Sequence, residues 1–133
     1  AFEAGSQALG ELRLSHVRLQ TDARWPWLIL IPRQADAREI EDLDPAGRAR
    51  LMEEIILAGQ AVRALGGATG FEVAKLNIGA LGNVTPQLHI HIVGRRPGDD
   101  AWPGPVWGSG TAQAYEAGVL ARGITAARDV LGL

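Results

Sequence analysis

The chain has 133 residues, 47% of them hydrophobic, and a net charge of −2 with its histidines neutral. This fits one globular domain over residues 1–133 and excludes a disordered, charge-dominated chain. The near-neutral balance argues against a broad nucleic-acid surface or a polybasic membrane patch, although a few local groups suffice to hold a nucleotide.

There is no cysteine, which excludes a disulfide scaffold and cysteine-ligated zinc and suits a cytoplasmic protein. The longest strongly apolar run, Trp25 to Pro32, is too short to span a bilayer. No secretory signal is visible, and the absence of an initial Met leaves a processed start open.

Residues 1–10 are small and mixed, and read as a frayed or weakly helical lead-in. Leu12, Leu14, Val17 and Leu19 suggest a first strand, with Ser15-His16 disturbing the alternation. Gln20 to Arg24 carry turn-compatible side chains. Trp25 to Ile31 form an apolar strand ended by Pro32, so the two strands make a hairpin. Asp44-Pro45 is a helix start, because Asp caps free amides and Pro is tolerated at the first helical position. Leu51, Ile55, Ala58, Val62 and Leu65 follow at helical spacing, and Gly66-Gly67 is the expected end.

Phe71 to Ile78 alternate loosely and read as a strand. Gly79 to Pro86 are a glycine-rich loop, and a strand from Gln87 to about Arg95 follows. The Pro/Gly segment at 97–110 contains Trp102, Val106 and Trp107, so it reads as an ordered excursion whose tryptophans cover the core or a partner. Leu120, Ile124, Ala127 and Leu131 give a final helical stripe. Short connections favour antiparallel pairing, so the residues alone give an α+β fold with about four strands and two helices.

Gln87-Leu88-His89-Ile90-His91-Ile92-Val93 is the most informative stretch. Its alternation puts Leu88, Ile90 and Ile92 on one face and Gln87, His89 and His91 on the other. Same-face neighbours on a strand stand roughly 6–7 Å apart, so two imidazoles can bracket one small group. Three readings stay open. The histidines could be a nucleophile with a charge-stabilising partner. They could ligate a metal, with Asp99-Asp100 folding back as a further ligand. Or they could be two structural histidines on a sheet.

The preceding segment, Asn77 to Asn83, supplies glycines that admit close backbone approach and amides that can donate to phosphate. It matches neither a Walker-type loop nor the dinucleotide glycine pattern, and a plain loop is the competing reading. His16 reads as a solvated surface histidine, Asp22 as a turn residue, and Arg95-Arg96 as a solvated strand end.

Asn77 to Arg96 resembles the catalytic segment of the histidine triad (HIT) family of nucleotide hydrolases and transferases, whose pattern is His-φ-His-φ-His-φ-φ with φ apolar. Leu28-Ile29-Leu30-Ile31-Pro32-Arg33 resembles that family's apolar strand ending in Ile-Pro-Lys/Arg. Gln87 stands where the family has its first His. With the segment from Trp102 to Gly108, it is similar to a bacterial branch that carries Gln there.

The resemblance implies a five-stranded antiparallel sheet with two helices, joined to a partner in a homodimer. The extra strand would come from residues 33–43 or from the N-terminus, and Trp102 to Trp107 would reach across the dimer. It also implies attack by His89 on the α-phosphate of a nucleoside phosphoramidate or dinucleoside polyphosphate, adenosine being the family default. His91 and Gln87 would assist, Asn77 and Asn83 would face the phosphate, and Asp22 would lie near the ribose. No metal is required, although a divalent cation could shield a polyphosphate. An amide cannot shuttle a proton as imidazole does, so a nucleotide-binding module with little turnover is the alternative.

Overall fold

A computed structural model describes all 133 residues. In chain order the elements are β1 (Ser6–Glu11), β2 (Ser15–Gln20), β3 (Trp27–Pro32), α1 (Pro45–Thr69), β4 (Lys75–Gly79), β5 (Ile90–Arg95) and α2 (Ala117–Leu131), with a single 3-10 turn at Ile40–Asp42. The five strands form one antiparallel sheet in the order β1-β2-β3-β5-β4. The expected α+β architecture is present.

The fifth strand comes from the N-terminal side, one of the two sources the resemblance implies, and not from residues 33–43; the frayed or helical lead-in read from composition is not found over Ser6–Glu11. Ser6 to Glu11 contain no β-branched residue, so local propensity is silent. Pairing with β2 organises them, through a register irregularity between Ala8 and Gly10. The extra residue is a bulge, and Gly10 takes its positive φ of 144° there.

Helix α1 also runs past its expected end. It passes through Gly66-Gly67 and stops at Gly70, which is left-handed with φ 83°. Gly66 serves close packing instead: a Cβ there would run into the Phe71 carbonyl oxygen. The start at Asp44 is as expected, its carboxylate accepting from the Gly47 amide at 2.7 Å.

The two faces of the sheet carry separate cores. On one, Val17, Leu19, Leu28, Leu30, Ile90 and Ile92 meet Leu51, Ile55, Ala58, Val62 and Leu65 of α1 and Ala127 and Leu131 of α2. Each fully buried aliphatic side chain of this kind contributes about 1.5–3 kcal/mol. On the other, Trp25, Trp27, Ile29, Phe71, Val93 and Val106 form a smaller cluster. No helix covers this second face.

The excursion after β5 closes part of it, and a buried ion pair holds that excursion. Arg95 donates to both Asp99 oxygens, at 2.8 and 2.9 Å, and to the Gly104 carbonyl at 2.8 Å. Arg95, read as a solvated strand end, is 1% exposed. Burial pushes the Asp99 carboxyl upward, but the Arg95 guanidinium and the amides of Arg96 and Ala101 outweigh it and hold the pKa below the usual carboxylate range. No helix is long and apolar enough to cross a membrane.

Candidate active site

The strand ladder of β5 begins at Ile90, so Gln87 to His89 are not paired in it, shorter than the alternation suggested. The neighbouring β3 ends at Pro32, and the Leu88 amide turns instead to the Ala37 carbonyl at 2.8 Å. Leu88 and Ile90 are buried at 2% each, and His89 is 7% exposed.

The hydrogen bonds assign the two imidazoles opposite tautomers. His89 Nδ1 lies 2.7 Å from the Gln87 carbonyl oxygen. A carbonyl only accepts, so this nitrogen carries the proton and the neutral ring's Nε2 keeps a free lone pair. His91 Nδ1 lies 3.0 Å from the Trp27 indole nitrogen. An indole N–H only donates, so Nδ1 accepts and the proton of neutral His91 sits on Nε2. Burial, followed by the neighbouring His89, lowers the His91 pKa from 6.5 to about 4. His91 is therefore a neutral N–H donor at physiological pH. The ring centroids are 5.0 Å apart and the planes 74° from parallel.

Both rings are walled by aromatics. Phe2 meets His89 edge-on at 4.9 Å, and Trp107 meets His91 at 5.5 Å. Trp107 thus comes from the excursion onto a histidine of its own chain. Gly79 makes room for it, since a Cβ there would stand 3.3 Å from the Trp107 ring.

A cavity of about 260 Å³ is lined by His89, His91, Trp107 and the loop from Leu81 to Thr85. The structure thus brings His89, His91 and Asn83 together. Gln87 contributes differently: its side-chain nitrogen donates to the Pro32 carbonyl at 3.2 Å, and its backbone carbonyl holds His89. Asn77 pairs with Val93 across the sheet, two residues from the Gly79–His91 pair and on the same face. Its Oδ1 accepts from Arg95 at 2.7 Å. Because Arg only donates, the Asn77 amide nitrogen is turned away from Arg95.

Asp22 lies apart, in a neighbouring cavity of about 260 Å³ with Gln20, Arg24, Trp27, Trp107 and Ser109. Its carboxylate is held by the Arg24 guanidinium, at 2.8 Å for the closest contact, and by the Gln113 amide at 3.3 Å. Burial pushes its pKa up, but these donors prevail and lower it. Trp107 borders both cavities. His16 is outside them and pairs with Glu11.

Thr85, Trp27 and Phe2 were not among the residues the sequence singled out, and Trp107 was named only as covering the core or a partner. Trp27 had a signal: alternation along β3 places it with Ile29 on one face, and Ile29 pairs with His91. Trp107 had a signal as a covering residue of the excursion, but its contact with His91 had none, because that contact spans the excursion. As for a metal, no cluster of three or more His, Asp or Glu side chains forms. Asp99, considered as a returning ligand, is committed to Arg95.

A HIT-domain family model matches residues 1–98. The chain belongs to the histidine triad (HIT) family. Solved structures agree. A histidine triad protein from Bradyrhizobium japonicum is 44% identical with a TM-score of 0.88, covering 96% of this chain and 91% of that one. A histidine triad protein from Marinobacter aquaeolei VT8 is 38% identical with a TM-score of 0.89, covering 98% and 92%. A hypothetical histidine triad nucleotide-binding protein from Sulfolobus tokodaii strain 7 shares the fold at 16% identity and a TM-score of 0.67, covering 96% and 84%. No curated protein sequence matches significantly. The HIT match ends before Trp107 and α2.

Proposed function

We propose that this HIT protein is a nucleotide hydrolase or nucleotidyl transferase acting at the α-phosphate of a nucleoside phosphoramidate or dinucleoside polyphosphate. The observation that carries the reading is the pair of opposed tautomers in one cavity: a free lone pair on His89 Nε2 beside an N–H donor on His91 Nε2.

His89 Nε2 attacks the α-phosphorus, the bond to the leaving phosphate breaks, or the bond to a leaving amine that takes a proton from solvent, and a nucleotidyl-His89 intermediate forms. Water then forms the new P–O bond, the P–N bond breaks, and a nucleoside monophosphate leaves with the water's proton passing to solvent. His91 donates to a non-bridging oxygen without transferring its proton, and the loop side chains Asn83 and Thr85 hold the other oxygens. Asn77 offers its amide nitrogen, and Gln87 holds the nucleophile through its carbonyl. Asp22 serves the ribose only if Arg24 shares its carboxylate. The base is adenine in this reading, no metal takes part in either displacement, and a divalent cation would serve only to shield a polyphosphate.

Gln87 groups the chain with the HIT branch that carries Gln-φ-His-φ-His, and residues 1–133 act as one HIT-like domain in the cytoplasm, without nucleic-acid or membrane partners. The working form is a homodimer. The support is three exposed apolar side chains, Met52 and Ile56 on α1 and Ile78 on the edge strand β4, each at least 50% exposed. Two such edges would join into one sheet. Ile78→Arg is expected to move the protein to the monomer position in size-exclusion chromatography; an unmoved dimer peak places the interface elsewhere.

The test of function is release of adenosine monophosphate from adenosine phosphoramidate and from diadenosine tetraphosphate. Release that disappears in His89→Ala is the expected result, and equal release by both proteins contradicts the mechanism. A second reading, a binding module with little turnover, is favoured by one observation: the Gln87 amide is turned to Pro32 and offers no proton to a leaving group. Tight binding of adenosine monophosphate without covalent adduct would support it.

A further inference from the structure

Displacement at phosphorus needs room for the group that stays and for the group that leaves. Two cavities of about 260 Å³ share Trp107 as a wall. The one at Asp22, with Gln20, Arg24 and Ser109 in its lining, is polar and takes the ribose in the reading above. The other holds the attacking histidine. An in-line displacement sets the leaving group on the side of phosphorus away from the attacking nitrogen. Beyond the two histidines, this cavity is lined by Trp107 and the loop from Leu81 to Thr85.

No charged side chain lines that cavity, and neutral His91 adds no charge. The cations around it are held elsewhere. Arg95 is buried and bonded to Asp99. Arg24 is bonded to Asp22 and to the Ser109 carbonyl. Arg18 shares the sheet face, since it pairs with Ile29 and Ile29 pairs with His91, but its Nε and Nη2 donate to the Ser6 hydroxyl and carbonyl. Lys75 lies four residues from Gly79 on β4, roughly 13 Å along the strand, and donates to the Leu76 carbonyl. A polyphosphate leaving group would bring several negative charges into the cavity with no cation to meet them, and an unpaired charge is costly to desolvate.

The loop presents apolar side chains instead. Val84 is 95% exposed and Leu81 41%, both line the cavity, and neither belongs to the two cores. One exposed apolar residue is ordinary. Two of them beside Trp107, around one cavity, make a surface that an apolar ligand group can cover.

We propose that the loop from Leu81 to Val84 seats the leaving group and selects an uncharged, apolar amine, with Val84 as a specificity-determining residue. The inference rests on the α-phosphate reading above and narrows it to phosphoramidates of apolar amines, at the expense of dinucleoside polyphosphates. The displacement itself is unchanged: the bond from His89 Nε2 to phosphorus forms, the P–N bond to the amine breaks, and the amine takes a proton from solvent.

The experiment compares two adenosine phosphoramidates of equal chain length, one of pentylamine and one of 5-aminopentanoic acid. The carboxylate of the second is too far from the nitrogen to alter the reactivity of the P–N bond. The parent's kcat/KM for the pentyl compound should exceed that for the carboxylate by roughly five- to hundredfold, the range for a polar group left without a partner. Val84→Lys supplies the missing cation at an exposed position and should narrow or reverse that preference, with kcat for unsubstituted adenosine phosphoramidate unchanged. Equal kcat/KM for the two compounds in the parent, a preference that Val84→Lys leaves as it was, or an equal fall on all three substrates overturns the proposal. If the parent releases adenosine monophosphate from none of them, the α-phosphate reading fails on its own, and calorimetric binding of the same two compounds still tests the seat. Tighter binding of the pentyl compound, lost in Val84→Lys, supports it; equal affinity, or binding of neither, refutes it.

Discussion

Replacing His91 with Asn tests whether that ring is held neutral by its surroundings. In the folded protein His91 takes up a proton only near pH 4, and in the unfolded chain near 6.5. Between those values the unfolded state binds more protons, so stability rises with pH. The contribution is fully present above pH 6.5 and is lost as pH falls to about 4, below which both states are protonated. The full span from 6.5 to about 4 corresponds to at most about 3 kcal/mol. The ring retains some solvent contact, and screening brings the figure to about 2 kcal/mol. Urea unfolding of both proteins from pH 7 to pH 4 checks this, because the titrating groups common to both proteins cancel in the difference. The stability advantage of the parent over His91→Asn should shrink by about 2 kcal/mol across that range. Parallel profiles, or an NMR titration of His91 near 6.5, would refute the reasoning.

Asp99→Ala strands the buried Arg95 guanidinium and should cost about 3–5 kcal/mol in urea unfolding; a change within experimental error would show that the ion pair does not hold the excursion. Trp27→Phe removes the indole donor that fixes the His91 tautomer, and kcat should fall up to about tenfold, the value of one neutral hydrogen bond, with KM unchanged. Gln87→Ala should leave the His89 Nδ1 proton in place in imidazole nitrogen NMR, because the acceptor is the backbone carbonyl; loss of that tautomer would mean that the side chain orients the ring.

Much of the sheet was legible because its strands bury one side. The apolar run in β3 and the alternation through Leu88, Ile90 and Ile92 place these strands without tertiary information. Strand β1 was not legible, since Ser6 to Glu11 carry no β signal and depend on partners in β2. The run-on of α1 was hidden for a related reason: Gly66 is small for packing against Phe71, a need that local helix statistics do not contain.

At the site, the spacing of His89 and His91 carried the main information. Their tautomers depend on Gln87's backbone and on Trp27 from another strand. The grip of Arg24 and Gln113 on Asp22 and the contact of Trp107 with His91 join parts of the chain that only the fold brings together.

Rapid quench of the protein with adenosine phosphoramidate, followed by peptide mass analysis under conditions that preserve P–N bonds, tests the central claim most directly. The account predicts an adenylyl adduct on His89, formed and consumed during turnover and absent from His89→Ala. Turnover with the adduct on another residue would contradict it.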